Sequence, residues 1–211
     1  MKRCVIVGGA GINNYDYIRG RLCADDYIVF CDSGLRHLEP LQVKPSLIVG
    51  DFDSHDNPYL DVETIVLPCE KDDTDTVFAV KEAIKRGFDD FLLIGVVGAR
   101  LDHTLGNVSI LLYLDSIGKK GIIIDDYSEM EIVSNEPAYI EDSYAFFSLL
   151  NVSGTAKGIA IENAKYLLNY KRQNVMKRRR RNAAPFSIWI KIRKRCNGNM
   201  YLPHDKLHHC V

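Results

Sequence analysis

Short, largely apolar runs recur along the first 126 residues, at positions 4–7, 27–31, 47–49, 63–67, 91–95 and 121–125. None shows helical spacing or strict alternation, which is the pattern of strands covered on both faces. Between them lie stretches with helical spacing, at 17–22, 35–41 and 77–84, the last of these stopping at Gly87, and the segment 95–107 leads into a further helix running to about Ser116. Strands alternating with helices predict a parallel sheet with helices on both faces, an α/β fold. After Asp126 the pattern changes to short alternating segments at 129–133, 144–150 and 158–161, separated by turn residues. This predicts the start of an antiparallel β domain. The expected organisation is therefore residues 1–126, then 127–170, then a compositionally different tail at 171–211.

Length and composition change little in this picture. The chain has 211 residues with 46% hydrophobic content, ordinary for one large or two small globular domains. Its apolar runs fall short of the ~20 residues a membrane helix needs. The apolar part of the N-terminus is too short for a signal peptide, so the expected location is cytoplasmic with no membrane association. The six cysteines form no C-x-x-C pair, and Cys4 and Cys31 lie in apolar runs as small buried hydrophobes.

Charge is more informative. The formal net charge is only −1, but residues 171–211 hold 12 Lys and Arg against the single acid Asp205. The rest keeps 15 of the 27 basic and 27 of the 28 acidic residues. Such a reversal marks a change of character near residue 170.

Acids gather just beyond the predicted strands. Leu47-Ile48-Val49 runs into Gly50-Asp51-Phe52-Asp53-Ser54. If the chain stays extended there, period-2 geometry points Asp51 and Asp53 to the same side at the carboxyl end of the strand, the edge where open α/β sheets bind ligands. Two adjacent carboxylates repel unless a cation is shared, and hard oxygen donors suit Mg2+. The plain alternative is a polar turn. Asp32-Ser33-Gly34 follows the second strand, and Lys71-Asp72-Asp73-Thr74-Asp75 precedes a helix that Asp73 is expected to cap. One cap does not account for Asp72, Asp73 and Asp75 together.

The fifth strand leads into Gly95-Val96-Val97-Gly98-Ala99-Arg100-Leu101-Asp102-His103-Thr104-Leu105-Gly106-Asn107. Glycines, a helix N-terminus and an arginine there suit a phosphate, although a surface ion pair for Arg100 and a structural role for His103 are the simpler alternatives. Gly9-x-Gly11-x-x-Asn14 falls one glycine short of the dinucleotide fingerprint, so it is read as a loop whose backbone approaches a ligand closely, and no P-loop motif occurs. Many carboxylates at successive strand ends, with glycine turns and an arginine, point to a metal and a polyphosphate.

The Asp32-Ser33-Gly34 turn, the Pro45 to Ser54 block, Lys71 to Asp75 and the Arg-x-Asp-His-Thr-x-Gly-Asn ending of Gly95 to Asn107 together resemble the thiamine pyrophosphokinase family. The combination covers residues 1 to about 126 and is far more specific than any one block. A weaker likeness continues through Phe147-Ser148-Leu149-Leu150, Ser153-Gly154 and Ala164 to Leu168. The resemblance implies a Rossmann-like nucleotide-binding domain followed by a smaller antiparallel β-sandwich-like domain that binds thiamine, incomplete in this chain. It implies transfer of a pyrophosphoryl group from ATP to the hydroxyethyl oxygen of thiamine, giving thiamine diphosphate and AMP, by a homodimer.

Carried onto this sequence, Asp51, Asp53 and Asp75 would hold Mg2+. Ser33, Gly34, Asp72, Thr74, Arg100, Asp102, His103, Thr104 and Asn107 would form the ATP side. The catalytic set implied is Asp32, Asp51 and Asp73, with either Asp32 or Asp73 orienting or deprotonating the thiamine hydroxyl.

The tail departs from the family. Its Gly-x-Ser-Asn-Glu segment, which helps to bind thiamine across the dimer, has no counterpart in residues 171–211, and Ser134-Asn135-Glu136 lies too early to serve. Instead there is Met176-Lys177-Arg178-Arg179-Arg180-Arg181, then Trp189, His204, His208 and His209. The first expectation is a reading-frame shift near residue 170. The alternatives are a solvated tail, or a basic segment that binds nucleic acid or an acidic partner in a catalytically impaired nucleotide-binding protein. Cys196, His204, His208, His209 and Cys210 fit no standard zinc spacing.

Overall fold

The computed structural model describes residues 3–53, 57–70, 72–98, 100–134, 138–141, 144–152 and 161, together with the backbone of 187–193. The chain divides into two compact units, Met1–Asp126 and Tyr127–Val211.

In the first unit the apolar runs become strands β1 (Arg3–Val7), β2 (Tyr27–Cys31), β3 (Leu47–Gly50), β4 (Thr64–Val66), β5 (Asp90–Ile94) and β6 (Lys120–Ile124). All neighbouring pairs are parallel, in the order β4-β3-β2-β1-β5-β6. The chain moves outward from β1 to β4 and then crosses back to place β5 against the other side of β1. That reversal opens a crevice beyond the carboxyl ends of β1 and β5. Cys4, Val5, Ile6 and Val7 have no exposed surface, as the continuous apolar run requires of a central strand covered on both faces. Val66 on the edge strand β4 is 66% exposed.

Helices α1 (Tyr15–Gly20), α2 (Leu38–Leu41), α3 (Asp75–Lys85) and α4 (Leu101–Ser116) join these strands. A 3-10 turn, Asp32–His37, leads directly into α2. The helix expected over 77–84 thus starts at Asp75, and its N-cap is Thr74, whose hydroxyl accepts the Val77 N–H at 3.3 Å. The expected cap Asp73 lies one residue too early; its carboxylate instead pairs with Lys81 at 2.6 Å. α3 packs on β1, β2 and β3, while α4 packs on β6 and α3. The α3 residues Ala79, Val80 and Ala83 form its buried face.

The second unit has, among the described residues, three antiparallel strands in the order β7-β9-β8: β7 (Ser128–Val133), β8 (Tyr144–Asn151) and β9 (Ser187–Arg193). Phe147 and Ile161 form its small core with Val133, Ala138, Ile140 and Leu149 against them. Of the strand expected at 158–161 only Ile161 is described, outside any strand; the remainder lies outside the described residues. The central strand comes instead from the basic tail. Residues 187–193 pair with β7 on one side and β8 on the other, so a wholly solvated tail is ruled out for that stretch. The Ile188, Ile190, Ile192 alternation carries the period-2 signal, which the surrounding charge obscured.

Candidate active site

Three carboxylates meet at the carboxyl edge of the first unit's sheet. Asp32 opens the 3-10 turn after β2, Asp51 follows β3, and Asp75 opens α3. Each offers an oxygen, and the three oxygens lie within 4.8 Å of one another. Asp32 is only 3% exposed, so its carboxyl is held out of water.

Backbone sterics set that spacing. A Cβ at Gly50 would fall 2.7 Å from the Cβ of Asp32, so only glycine lets β3 end close enough to bring Asp51 beside it. The chain then leaves the extended conformation, because Phe52 has φ of 57°. Asp51 and Asp53 therefore do not project together as an extended chain would require. Asp53 is exposed and outside the three-oxygen cluster, with its N–H 3.4 Å from Asp51 Oδ1. The structure thus groups Asp51 and Asp75, two of the three residues expected to hold a metal, with Asp32, which was expected in a catalytic role.

Beside the cluster, the first turns of α3 and α4 border a cleft of about 210 Å³ lined by Thr74, Thr76, Val77, Asp102, His103, Gly106 and Asn107. Helix N-termini leave backbone N–H groups and positive potential facing such a cleft. Arg100 grips Asp102 through Nη2 at 2.6 Å and Nε at 3.3 Å, and His103 Nε2 stands 4.0 Å from the same carboxylate. The Arg100 guanidinium holds the Asp102 carboxyl below the usual carboxylate range. Arg100 is thus an ion-paired side chain, 68% exposed at the mouth of the cleft.

Thr104 and Asn107 brace the loop that enters α4. Thr104 Oγ1 accepts the Gly98 N–H at 3.2 Å and lies 3.2 Å from the Arg100 carbonyl, to which it can donate. The buried Asn107 donates to the Val96 carbonyl at 2.8 Å. Ser33 and Gly34 touch the glycine loop after β1. A Cβ at Gly9 would lie 1.9 Å from Ser33 Oγ, and one at Gly34 would lie 2.2 Å from the Val7 carbonyl. Asp72 is exposed beside the cluster-bearing turn. Sequence reasoning missed Thr76, Val77 and Gly106 in the cleft wall, whose only signal was a position within the first turns of predicted helices.

The donor set is compatible with a hard divalent cation, since three carboxylate oxygens converge within 4.8 Å of one another. The open parallel sheet, the carboxylates at its carboxyl edge and the cleft between two helix N-termini define the class: a doubly wound α/β protein, a class that binds ligands at the strand ends. Residues 21–123 match the family described as thiamin pyrophosphokinase, catalytic domain. That stretch is a thiamin pyrophosphokinase catalytic domain.

Solved structures share the fold. A thiamin pyrophosphokinase from Geobacillus thermodenitrificans is 22% identical with a TM-score of 0.73, covering 92% of this chain and 99% of that one. The Bacillus subtilis thiamine pyrophosphokinase is 20% identical with a TM-score of 0.69, covering 91% and 99%. The Candida albicans enzyme is 13% identical with a TM-score of 0.55, covering 91% and 88%. No curated protein matches the chain.

Proposed function

We propose that this protein is a thiamine diphosphokinase, transferring the diphosphate group of ATP to thiamine to give thiamine diphosphate and AMP. The observation that carries the reading is the convergence of Asp32, Asp51 and Asp75 within a thiamin pyrophosphokinase catalytic domain. Such a transfer asks mainly for positioning and charge neutralisation. Asp32, Asp51 and Asp75 would hold Mg2+, which when bound neutralises phosphate charge and orients the polyphosphate.

The chain's own groups do the rest. The N-termini of α3 and α4 and the Thr74 and Thr76 hydroxyls lie where a phosphate chain enters the cleft. Arg100 adds positive charge at its mouth, kept in place by Asp102. With Asp32 drawn into the carboxylate cluster, Asp73 is the other carboxylate available to orient the thiamine hydroxyl, its side chain steadied by Lys81. Asp72 stands beside it, and Asp53 lies at the rim of the site. The second unit supplies the thiamine-binding β-sandwich in this reading. The working form is a cytoplasmic homodimer, in which the acceptor pocket draws on both copies. In support, no described helix is long and apolar enough to cross a membrane.

The test is formation of AMP and thiamine diphosphate by the purified chain with ATP, Mg2+ and thiamine, against a control without thiamine. Asp51→Asn is expected to lower turnover at least 100-fold, the scale of losing one electrostatic anchor of the transition state. Thiamine-independent AMP release, or an unaffected Asp51→Asn, would refute the reading.

A further inference from the structure

His37 closes the 3-10 turn that Asp32 opens, and it is 2% exposed. Both ring nitrogens are engaged. Nε2 lies 2.9 Å from the Ala10 carbonyl, and Nδ1 lies 2.8 Å from the Tyr15 hydroxyl. A carbonyl only accepts, so Nε2 carries the proton; Nδ1 is then the acceptor and the Tyr15 O–H donates to it. The hydroxyl therefore selects the tautomer that can reach Ala10.

Ala10 sits in the middle of the glycine loop after β1. Its N–H donates to the Gly95 carbonyl at 2.7 Å, so this one residue joins the β5 loop through its N–H and His37 through its own carbonyl. Gly8 and Gly95 pack backbone to backbone, since a Cβ on either would come within 2.6 Å of the other's oxygen. The far end of the loop is fixed by Asp126, which accepts the Asn13 N–H at 3.0 Å and the Asn14 N–H at 2.8 Å. Three loops at the crevice thus share one fixed point, and His37 is the link from that point to the carboxylate side.

We propose that His37 is a positioning residue: by donating from Nε2 to the Ala10 carbonyl it holds the glycine loop at a set distance from the turn that carries Asp32. The proposal rests on the diphosphokinase reading, because it takes the loop and the carboxylates to grip one ATP. Burial alone could be served by an apolar side chain; the two-sided hydrogen bonding is what an apolar side chain cannot supply.

The test compares His37→Phe, His37→Gln and Tyr15→Phe with the unmodified protein, reading KM for ATP, kcat and the dissociation constant for Mg-ATP by calorimetry. His37→Phe keeps a flat ring, slightly larger, and loses the donor. It is expected to raise KM and the dissociation constant about tenfold, with kcat within about threefold. His37→Gln can still donate to Ala10 and is expected to recover ATP binding to within about 1.5-fold, less than the change expected of Tyr15→Phe. If His37→Phe does not fold, Tyr15→Phe is decisive: losing the tautomer lock is expected to weaken ATP binding about threefold in a folded protein. Folded variants with a lower Tm and unchanged ATP binding would overturn the proposal and leave His37 as packing. Failure of the functional reading looks different, since the unmodified protein would then make no thiamine-dependent AMP.

Discussion

At the scale of residues, the site is made by groups that sequence spacing places separately and the fold brings together. Asp51 and Asp53 are two apart in sequence, yet Asp51 meets Asp32 and Asp75 instead. The reason is local: Phe52 adopts a left-handed conformation, which turns the chain between the two acids. His37 carries a pH consequence. Burial, aided by the nearby Arg36 and opposed by the Ala10 carbonyl, lowers its pKa below 6.5. The facing groups are Tyr15 on α1, the Ala10 backbone and Arg36 on its own turn. A lowered pKa means that the folded state favours the neutral ring. Its contribution is fully present above the unfolded pKa and is lost as pH falls through the lower folded one. Urea midpoints measured from pH 7.5 down to 4.5 should therefore fall more steeply for the unmodified protein than for His37→Gln. Equal slopes would mean that this ring does not titrate on unfolding.

At the scale of elements, caps and crossings decide how the acids are presented. Thr74 caps α3 and so fixes where Asp75 stands. Thr74→Ala is expected to cost about 1 kcal/mol in urea unfolding, while Thr74→Ser retains the acceptor and most of that stability. Equal losses for both would assign the effect to the methyl group. Most elements of the first unit were legible in the apolar runs, because a strand buried on both faces must be continuously apolar. The α3 start was misplaced because Asp and Thr are both good caps; which one serves depends on backbone geometry that propensity does not resolve. The cleft wall was not legible for a different reason. Thr76, Val77 and Gly106 are ordinary helix residues whose importance comes only from the approach of α3 to α4.

At the scale of the whole molecule, the tail is the point of departure. Of the readings that the compositional break near residue 170 allows, a wholly solvated end does not hold at Ser187–Arg193, which forms the strand shared by β7 and β8. Ending the chain after residue 170 removes that strand and leaves β7 and β8 without their common partner. Hydrogen exchange is expected to show lost protection over Ser128–Val133 and Tyr144–Asn151, with β1 and β5 still protected by the first unit's own core. Unchanged protection of β7 and β8 would contradict the pairing. The arginine run at 178–181 lies outside the described residues.

What the sequence by itself determined is the alternation of buried strands and helices up to Asp126, the acids at the strand ends and the family likeness they carry. These are local facts, since burial on both faces, turn chemistry and motif spacing each involve a few consecutive residues. The tertiary structure alone decided which carboxylates share a site, that His37 ties the glycine loop to the carboxylate turn, and that a strand from the basic tail pairs with both β7 and β8. Each of these depends on contacts between segments tens of residues apart. Parallel pairing sets them: Cys31 opposite Val49 places Asp32 next to Asp51 only because β2 and β3 are aligned in that register and Gly50 has no side chain to keep them apart.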